Sequence, residues 1–174
     1  MEQEIAVVEP SDATTALARQ WWPAYVRELR EHGLPIDLQN NRDIQEYWDG
    51  CWDAGGRHPF IVVADGDFAG FAVTQDEPDP LLVEKAPDSE ILEFFVIPKL
   101  RRLGVGKRAA RLLFDQHPGG WQVFELAENM PARAFWENVI AEYTTGDYIG
   151  ADIDDGEWRG RIQFFDNSPR RPRE

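Results

Sequence analysis

The chain has one cysteine and three histidines in 174 residues. A lone thiol, Cys51, cannot form an internal disulfide, which points to a reducing compartment and so to the cytoplasm. His32, His58 and His117 are scattered through loop-like stretches and give no ligand spacing, so no metal is expected. Long apolar runs are missing, and none approaches the roughly 20 residues that span a membrane. The opening Met1-Glu2-Gln3-Glu4 does not read as a basic and then apolar export signal. Basic residues are scarce too, 18 Lys and Arg against 32 Asp and Glu, for a formal net charge of −14. Such a surface opposes docking on DNA, RNA or anionic lipid, where neutralising phosphates supplies much of the affinity. It attracts cationic small molecules instead.

What remains is an ordinary globular composition, with 43% hydrophobic residues. No repeat and no composition shift marks a second domain. We expect one domain over residues 1–167 and a disordered basic tail from Ser168 to Glu174, which holds three arginines and two prolines.

The chain is organised around residues 94–108, Phe94 to Arg108. An apolar β-rich run stops at Pro98, passes through a basic turn with Gly104 and Gly106, and enters a helical pattern with Val105, Ala109, Leu112 and Leu113 on one face. Glycines at a strand-to-helix turn let backbone N–H groups approach a ligand. The helix N-terminus adds partial positive charge, and Arg101, Arg102 and Lys107 add full charges. The stretch reads as a phosphate cradle. It is not a P-loop, because Arg101 stands where the first glycine belongs and Arg108 replaces the magnesium-binding hydroxyl. Nor is it a dinucleotide fingerprint, because half a chain precedes its strand and Ala109 takes the third glycine's place.

Around this cradle the elements follow in order. Glu4–Glu9 reads as a strand, and Ser11 or Asp12 caps a helix carrying Ala18, Trp21, Trp22, Tyr25 and Leu29, which Pro23 must kink or divide. A second helix from Asn41 or Asp43 aligns Ile44, Tyr47, Trp48, Cys51 and Trp52 and stops at Gly55-Gly56. The flanking tryptophans mark Cys51 as a buried thiol rather than a nucleophile. Phe60–Ala64 and Phe68–Thr74 flank Asp65-Gly66, a hairpin signal, and Gln75–Asp88 is a proline-rich acidic loop. Glu90–Ile97 is a central strand, Gly104–Gln116 the cradle helix, and Trp121–Leu126 a further strand. A helix from Asn129 follows, then a strand pair at Tyr143–Ile149 and Arg161–Phe165.

Two motifs at this spacing carry a resemblance. Arg101-x-x-Gly104-x-Gly106 is similar to the pyrophosphate loop of the GNAT acetyltransferase superfamily, and Asn129-x-x-Ala132-x-x-Phe135-Trp136 resembles its second signature. The resemblance implies a mixed α/β fold, a twisted and mostly antiparallel sheet with helices on both faces. It implies an acetyl-CoA-dependent N-acetyltransferase acting on a small-molecule or peptide amine, with acetyl-CoA as co-substrate. A homodimer is compatible with it. The backbone of Phe95, Val96 and Ile97 would then meet the pantetheine arm, N–H groups from Arg102 through Leu103, Gly104, Val105, Gly106 and Lys107 would hold the pyrophosphate, and Arg101 and Arg102 would add charge. Asn129 and Phe135 would lie beside the arm and thiol, although Asn129 reads equally as a helix cap.

The chemistry sets one more demand. A primary amine is neutral in only about one molecule in a few thousand at pH 7, and only that form attacks a thioester. Glu93 and Glu90 are the candidate bases, Glu93 ahead because it lies nearer the cradle, and their odd spacing sets them on opposite faces of a regular strand. Where many members of the superfamily carry a tyrosine that protonates the leaving thiolate, this chain has Trp136. Tyr143 is the substitute nearest in sequence, or else core. A non-catalytic acyl-CoA sensor on the same fold is the alternative that this departure raises.

Overall fold

The Asp65-Gly66 turn sets the first hairpin in the computed structural model, which describes residues 3–34, 41–84, 87–154, 156 and 159–169. Asp65 at φ 53° and Gly66 at φ 85° supply the two positive φ values that a two-residue primed turn needs. They join β2 (Arg57–Ala64) to β3 (Asp67–Asp76), with β1 (Ile5–Val8) outside β2 and β4 (Ser89–Val96) inside β3, all antiparallel. β5 (Gly120–Leu126) runs parallel to β4, and β7 (Arg159–Asp166) and β6 (Ile149–Asp154) complete a seven-stranded sheet in the order β1-β2-β3-β4-β5-β7-β6.

Helices cover both faces. α1 (Asp12–Glu31) and α2 (Asn41–Trp52) pack Trp22, Tyr25, Trp48 and Trp52 against Phe71, Val73 and Phe95 on the first face. α3 (Val105–Gln116) and α4 (Met130–Thr144) pack Leu113, Phe114, Trp136 and Ile140 against Trp121, Val123 and Phe165 on the second. None of these helices, over the described residues, is long and apolar enough to cross a membrane.

Two expectations are corrected. Pro23 does not divide α1, which continues unbroken for 20 residues; the proline lies on the exposed side, where water can satisfy the carbonyl it leaves unpaired. Tyr143 is not in a strand. Trp136, Val139, Ile140 and Tyr143 continue one helical spacing, and α4 ends only where Thr145 (φ 54°) and Gly146 (φ 85°) turn left-handed. The strand falls one segment later, on the alternating Ile149, Ala151 and Ile153. Most of the basic tail expected from Ser168 to Glu174 lies outside the described residues.

One buried polar pair affects stability. Glu125 on β5 and Gln163 on β7 face α4, are 3% and 0% exposed, and find no hydrogen-bond partner among the described residues. Burial lifts the Glu125 carboxyl from its ordinary value near 4.5 to about 9, against the opposing pull of Arg133 and Arg161. The folded chain therefore keeps a proton that the unfolded chain releases. The stability this contributes is full below pH 4.5 and is lost as pH climbs to about 9, at up to about 1.4 kcal/mol per pH unit. Glu125→Gln is expected to raise the melting temperature at pH 8 and flatten its fall with pH. An unchanged profile in a thermal melt series would refute it.

Candidate active site

β4 and β5 pair only at Ser89↔Trp121, Glu90↔Gln122 and Ile91↔Val123, and beyond these rungs they part. The parting leaves a fork whose apex lies at Ile91 and whose open end lies at Val96. Inside it the backbone groups of β4 that face away from β3 have no strand partner. Of the three residues expected there, Ile97 already gives its N–H to Ala69 of β3, and the Val96 carbonyl accepts Arg101 Nε at 2.8 Å. The Val96 N–H points the same way as its carbonyl, into the fork, and strand alternation sends the backbone of Phe94 there as well. Phe95 turns its ring into the first-face core, 2% exposed.

At the open end, a short 3-10 turn over Pro98–Leu100 leads to an exposed loop in which Arg102 (φ 63°) and Gly104 (φ 83°) are left-handed. Ser11 caps α1 through a reciprocal box with Thr14, and Asn129 caps α4 by accepting the Ala132 N–H at 3.2 Å. No side chain caps α3. The N–H groups of its first turn, at Val105, Gly106 and Lys107, therefore have no intrahelical acceptor and point out past the fork. Gly106 permits a close approach. A Cβ there would stand 3.3 Å from the Phe135 ring and 3.5 Å from Val96 Cγ2. Uncapped helix end, open fork and a wall of Phe135 fit a thin chain ending in a diphosphate.

The cations divide their duties. Arg101 gives Nη2 to both oxygens of Glu28 on α1, at 3.1 and 2.9 Å, and lies 5.3 Å over the Phe95 ring. It thus ties the loop to β4 and α1. Lys107 pairs with Glu142 of α4, which Arg111 also meets at 3.2 Å. Arg102 is exposed and, among the described residues, has no ion-pair partner.

A β-bulge re-aims the two glutamates. Val73 pairs with Glu93 but Thr74 pairs with Ile91, so Leu92 is an extra residue in β4. The extra residue brings Glu90 and Glu93 to the same face, the side of α1 and α2, and corrects the opposite-face expectation. Glu93 is 3% exposed, and its oxygens accept the hydroxyls of Tyr25 and Tyr47 and lie 3.6 Å from the Cys51 thiol. Burial raises its pKa, and the three donors oppose that. Glu93 fastens α1 and α2 to the bulge and is closed to a substrate.

Glu90 is only half-buried and stands one rung behind the apex of the fork. Burial lifts its carboxyl to about 7, with Asp79 and Glu93 adding to the rise and Gln122 and Arg57 opposing it. Register places it in one row across six strands: Arg57, Gln75, Glu90, Gln122, Phe164 and Ile149. Gln122 is the residue that sequence reasoning passed over. Its Nε2 reaches the Asp79 carbonyl at 3.2 Å and Glu90 at 3.5 Å, and its Oε1 accepts the Leu81 N–H at 3.1 Å. It pins the acidic loop beside Glu90. A polar residue between Trp121 and Val123, on the face opposite theirs, was the available signal.

Tyr143 is not brought to the site. Its hydroxyl donates to Asp115 at 2.7 Å and accepts from Asn167 at 3.0 Å, at the end of α3 far from the cradle. Trp136 is 5% exposed and packs on Phe94 and Phe114. Among the described residues, no group of three His, Cys, Asp or Glu side chains could hold a metal ion.

The family model described as "Acetyltransferase (GNAT) family" matches residues 16–140. A comparison with curated protein sequences gives no match. Among solved structures, an acetyltransferase from Thermus thermophilus is 12% identical and superposes with a TM-score of 0.64 over 93% of this chain and 96% of that one. The ribosomal-protein-S18-alanine N-acetyltransferase from Escherichia coli is 18% identical, with a TM-score of 0.57 over 96% of each chain. AAC(6')-Ib in complex with ribostamycin and coenzyme A is 13% identical, with a TM-score of 0.67 over 94% and 93%. At these identities the structures establish a likeness of fold.

Proposed function

Because the chain belongs to the GNAT acetyltransferase family, an enzyme family that uses acetyl-CoA as co-substrate, we propose that it moves the acetyl group to a primary amine by direct attack, with Glu90 as the base. The observation that carries this reading is the position of Glu90, half-buried one rung behind the apex of the fork, with its carboxyl lifted by burial to about 7. A carboxylate poised at neutral pH can take a proton from an ammonium group arriving there.

The chain's own residues divide the task. First-turn N–H groups at Val105, Gly106 and Lys107, with the free charge of Arg102, would hold the pyrophosphate, and the fork-facing backbone of Phe94 and Val96 would hold the pantetheine arm. Phe135 walls the open end. Arg101 and Asn129 position backbone rather than ligand. Acetyl-CoA supplies an activated thioester. No tyrosine stands by to protonate the leaving thiolate, and a thiol of reference pKa about 8.5 needs none at neutral pH.

Amine-dependent release of free thiol from acetyl-CoA, measured across a panel of amines, tests the reading. Binding of acetyl-CoA without release to any amine would support the sensor instead. The acidic surface makes a second expectation. With a net charge of −14 and Glu90 and Asp79 side by side, a cationic acceptor is drawn in by long-range attraction. Salt should therefore lower kcat/KM through KM as the Debye length shrinks from about 10 Å at 0.1 M to about 3 Å at 1 M. A KM independent of salt would count against it.

A further inference from the structure

Arg57 stands at the far end of the row that carries Glu90. Register sets it beside Gln75 of β3, and Gln75 beside Glu90 of β4. Its guanidinium is fixed from two sides. Nη1 donates to the Gly50 carbonyl in the last turns of α2, and Nε donates to Gln75 Oε1 at 3.3 Å. Both partners are neutral, so the positive charge is not cancelled where it stands. Nε can only donate, which obliges Gln75 to turn its amide oxygen toward Arg57. What Gln75 can offer Glu90, its other neighbour in the row, is therefore an N–H. Gln122 meets Glu90 from the opposite strand in the same sense, with Nε2 at 3.5 Å.

We infer that Arg57 is a positioning residue for the reaction, supplying the positive charge that keeps the Glu90 carboxylate free of a proton without touching the acceptor. The inference rests on Glu90 being the base. Among the described residues, the charged groups that act on Glu90 are Arg57 from β2, Glu93 from β4 and Asp79 from the acidic loop. α1 and α2 add Tyr25, Tyr47 and Cys51, all three bonded to Glu93. Two carboxylates and burial therefore oppose ionisation of Glu90, and Arg57 is the cation set against them. Two strand spacings, about 10 Å, separate β2 from β4. At that range, under the cover of α2, one charge is enough to move a carboxyl by about half a pH unit to one unit. A structural duty alone, closing the end of α2, would need the hydrogen bond to Gly50 and not the charge.

The test needs no acceptor. Carbon-13 NMR of the whole protein, labelled at the glutamate carboxyls and assigned with Glu90→Gln, follows the titration of Glu90 directly. Arg57→Gln keeps donors for Gly50 and Gln75 but loses the charge, and Arg57→Met loses both; Arg57→Lys keeps the charge. The Glu90 midpoint should rise by about half a pH unit to one unit in the two neutral variants and stay close to wild type in the lysine variant. Thiol release from acetyl-CoA, with the most reactive amine of the panel, should fall about 3- to 10-fold at pH 6 in the neutral variants, and the loss should shrink as pH rises. An unmoved midpoint in Arg57→Gln, or an equal rise in Arg57→Lys, overturns the inference and leaves Glu90 standing as the base. Loss of the fold in both neutral variants would make Arg57 a structural residue and overturn it too. Full turnover in Glu90→Gln removes the base, and the inference with it.

Discussion

Glu90→Gln is expected to lower kcat by about 10²–10⁴-fold while leaving acetyl-CoA binding unchanged. The side chain keeps its size and its place beside Gln122, so what is lost is proton acceptance alone. The pH profile gives the second signature. A base with a pKa near 7 must be deprotonated to act, so in the wild type kcat/KM rises with pH and levels off above about 7. In the glutamine variant that limb should vanish. Steady-state thiol release from pH 6 to 9 reads both effects. Near-normal turnover across that range would mean that Glu90 is not the base and that the proton leaves through water or backbone.

Glu93→Gln is the control that the bulge makes informative. Glu93 accepts from Tyr25, Tyr47 and Cys51 deep in the first-face core. A glutamine keeps one acceptor and turns an NH₂ group toward a hydroxyl, so the damage should appear in the melting temperature, with the pH limb of the surviving activity still present. The two glutamates stand three residues apart on one face of one strand, and burial alone separates their roles.

In the sequence Glu93 comes first because it lies nearer the cradle, and neither the core that closes over it nor the bulge that turns Glu90 to its face can be seen there. Strand periodicity is legible in residues 90–97, but an inserted Leu92 is not, because a bulge leaves no residue-type signature that a regular strand lacks. The fork is invisible in the same way, since where β4 stops pairing with β5 is a property of two strands about 30 residues apart in the chain. What was legible is local chemistry: the Asp65-Gly66 turn, the Ser11 cap, the glycines of the cradle, and the aromatic stripes of α1 and α2. Arg101 marks the boundary. Its motif position is plain in the sequence, yet its guanidinium serves the Val96 carbonyl five residues back and Glu28 on α1, and the second of these contacts only long-range folding creates. Tyr143 shows the opposite case, where helical spacing with Val139 and Ile140 is present in the sequence and sets it half-buried against the second-face core.

Gly106→Val should abolish the stabilisation that acetyl-CoA gives the wild type. At a ligand concentration a thousandfold above Kd, that stabilisation is about 4 kcal/mol, and in a chain of this size it is read as a shift on the order of 10 °C in Tm. The site of damage is specific. A Cβ at position 106 already stands 3.3 Å from the Phe135 ring, and two further methyls must enter the space between the start of α3 and the wall of the fork. Gly106→Ala, which asks the ring to yield only a few tenths of an ångström, should keep part of the shift. Gly104 gives a less clean test. Its φ of 83° strains any side chain whatever the space, so Gly104→Val loses about 1–3 kcal/mol before any ligand is added. Position 106 lies within helical backbone and escapes that φ strain, but its valine crowds Phe135 and Val96, so the unliganded variant is melted first and the acetyl-CoA shift is read from its own baseline. A Gly106→Val protein that keeps the full acetyl-CoA shift would show that the first turn of α3 does not hold the pyrophosphate, and the cradle would have to be sought elsewhere along the fork.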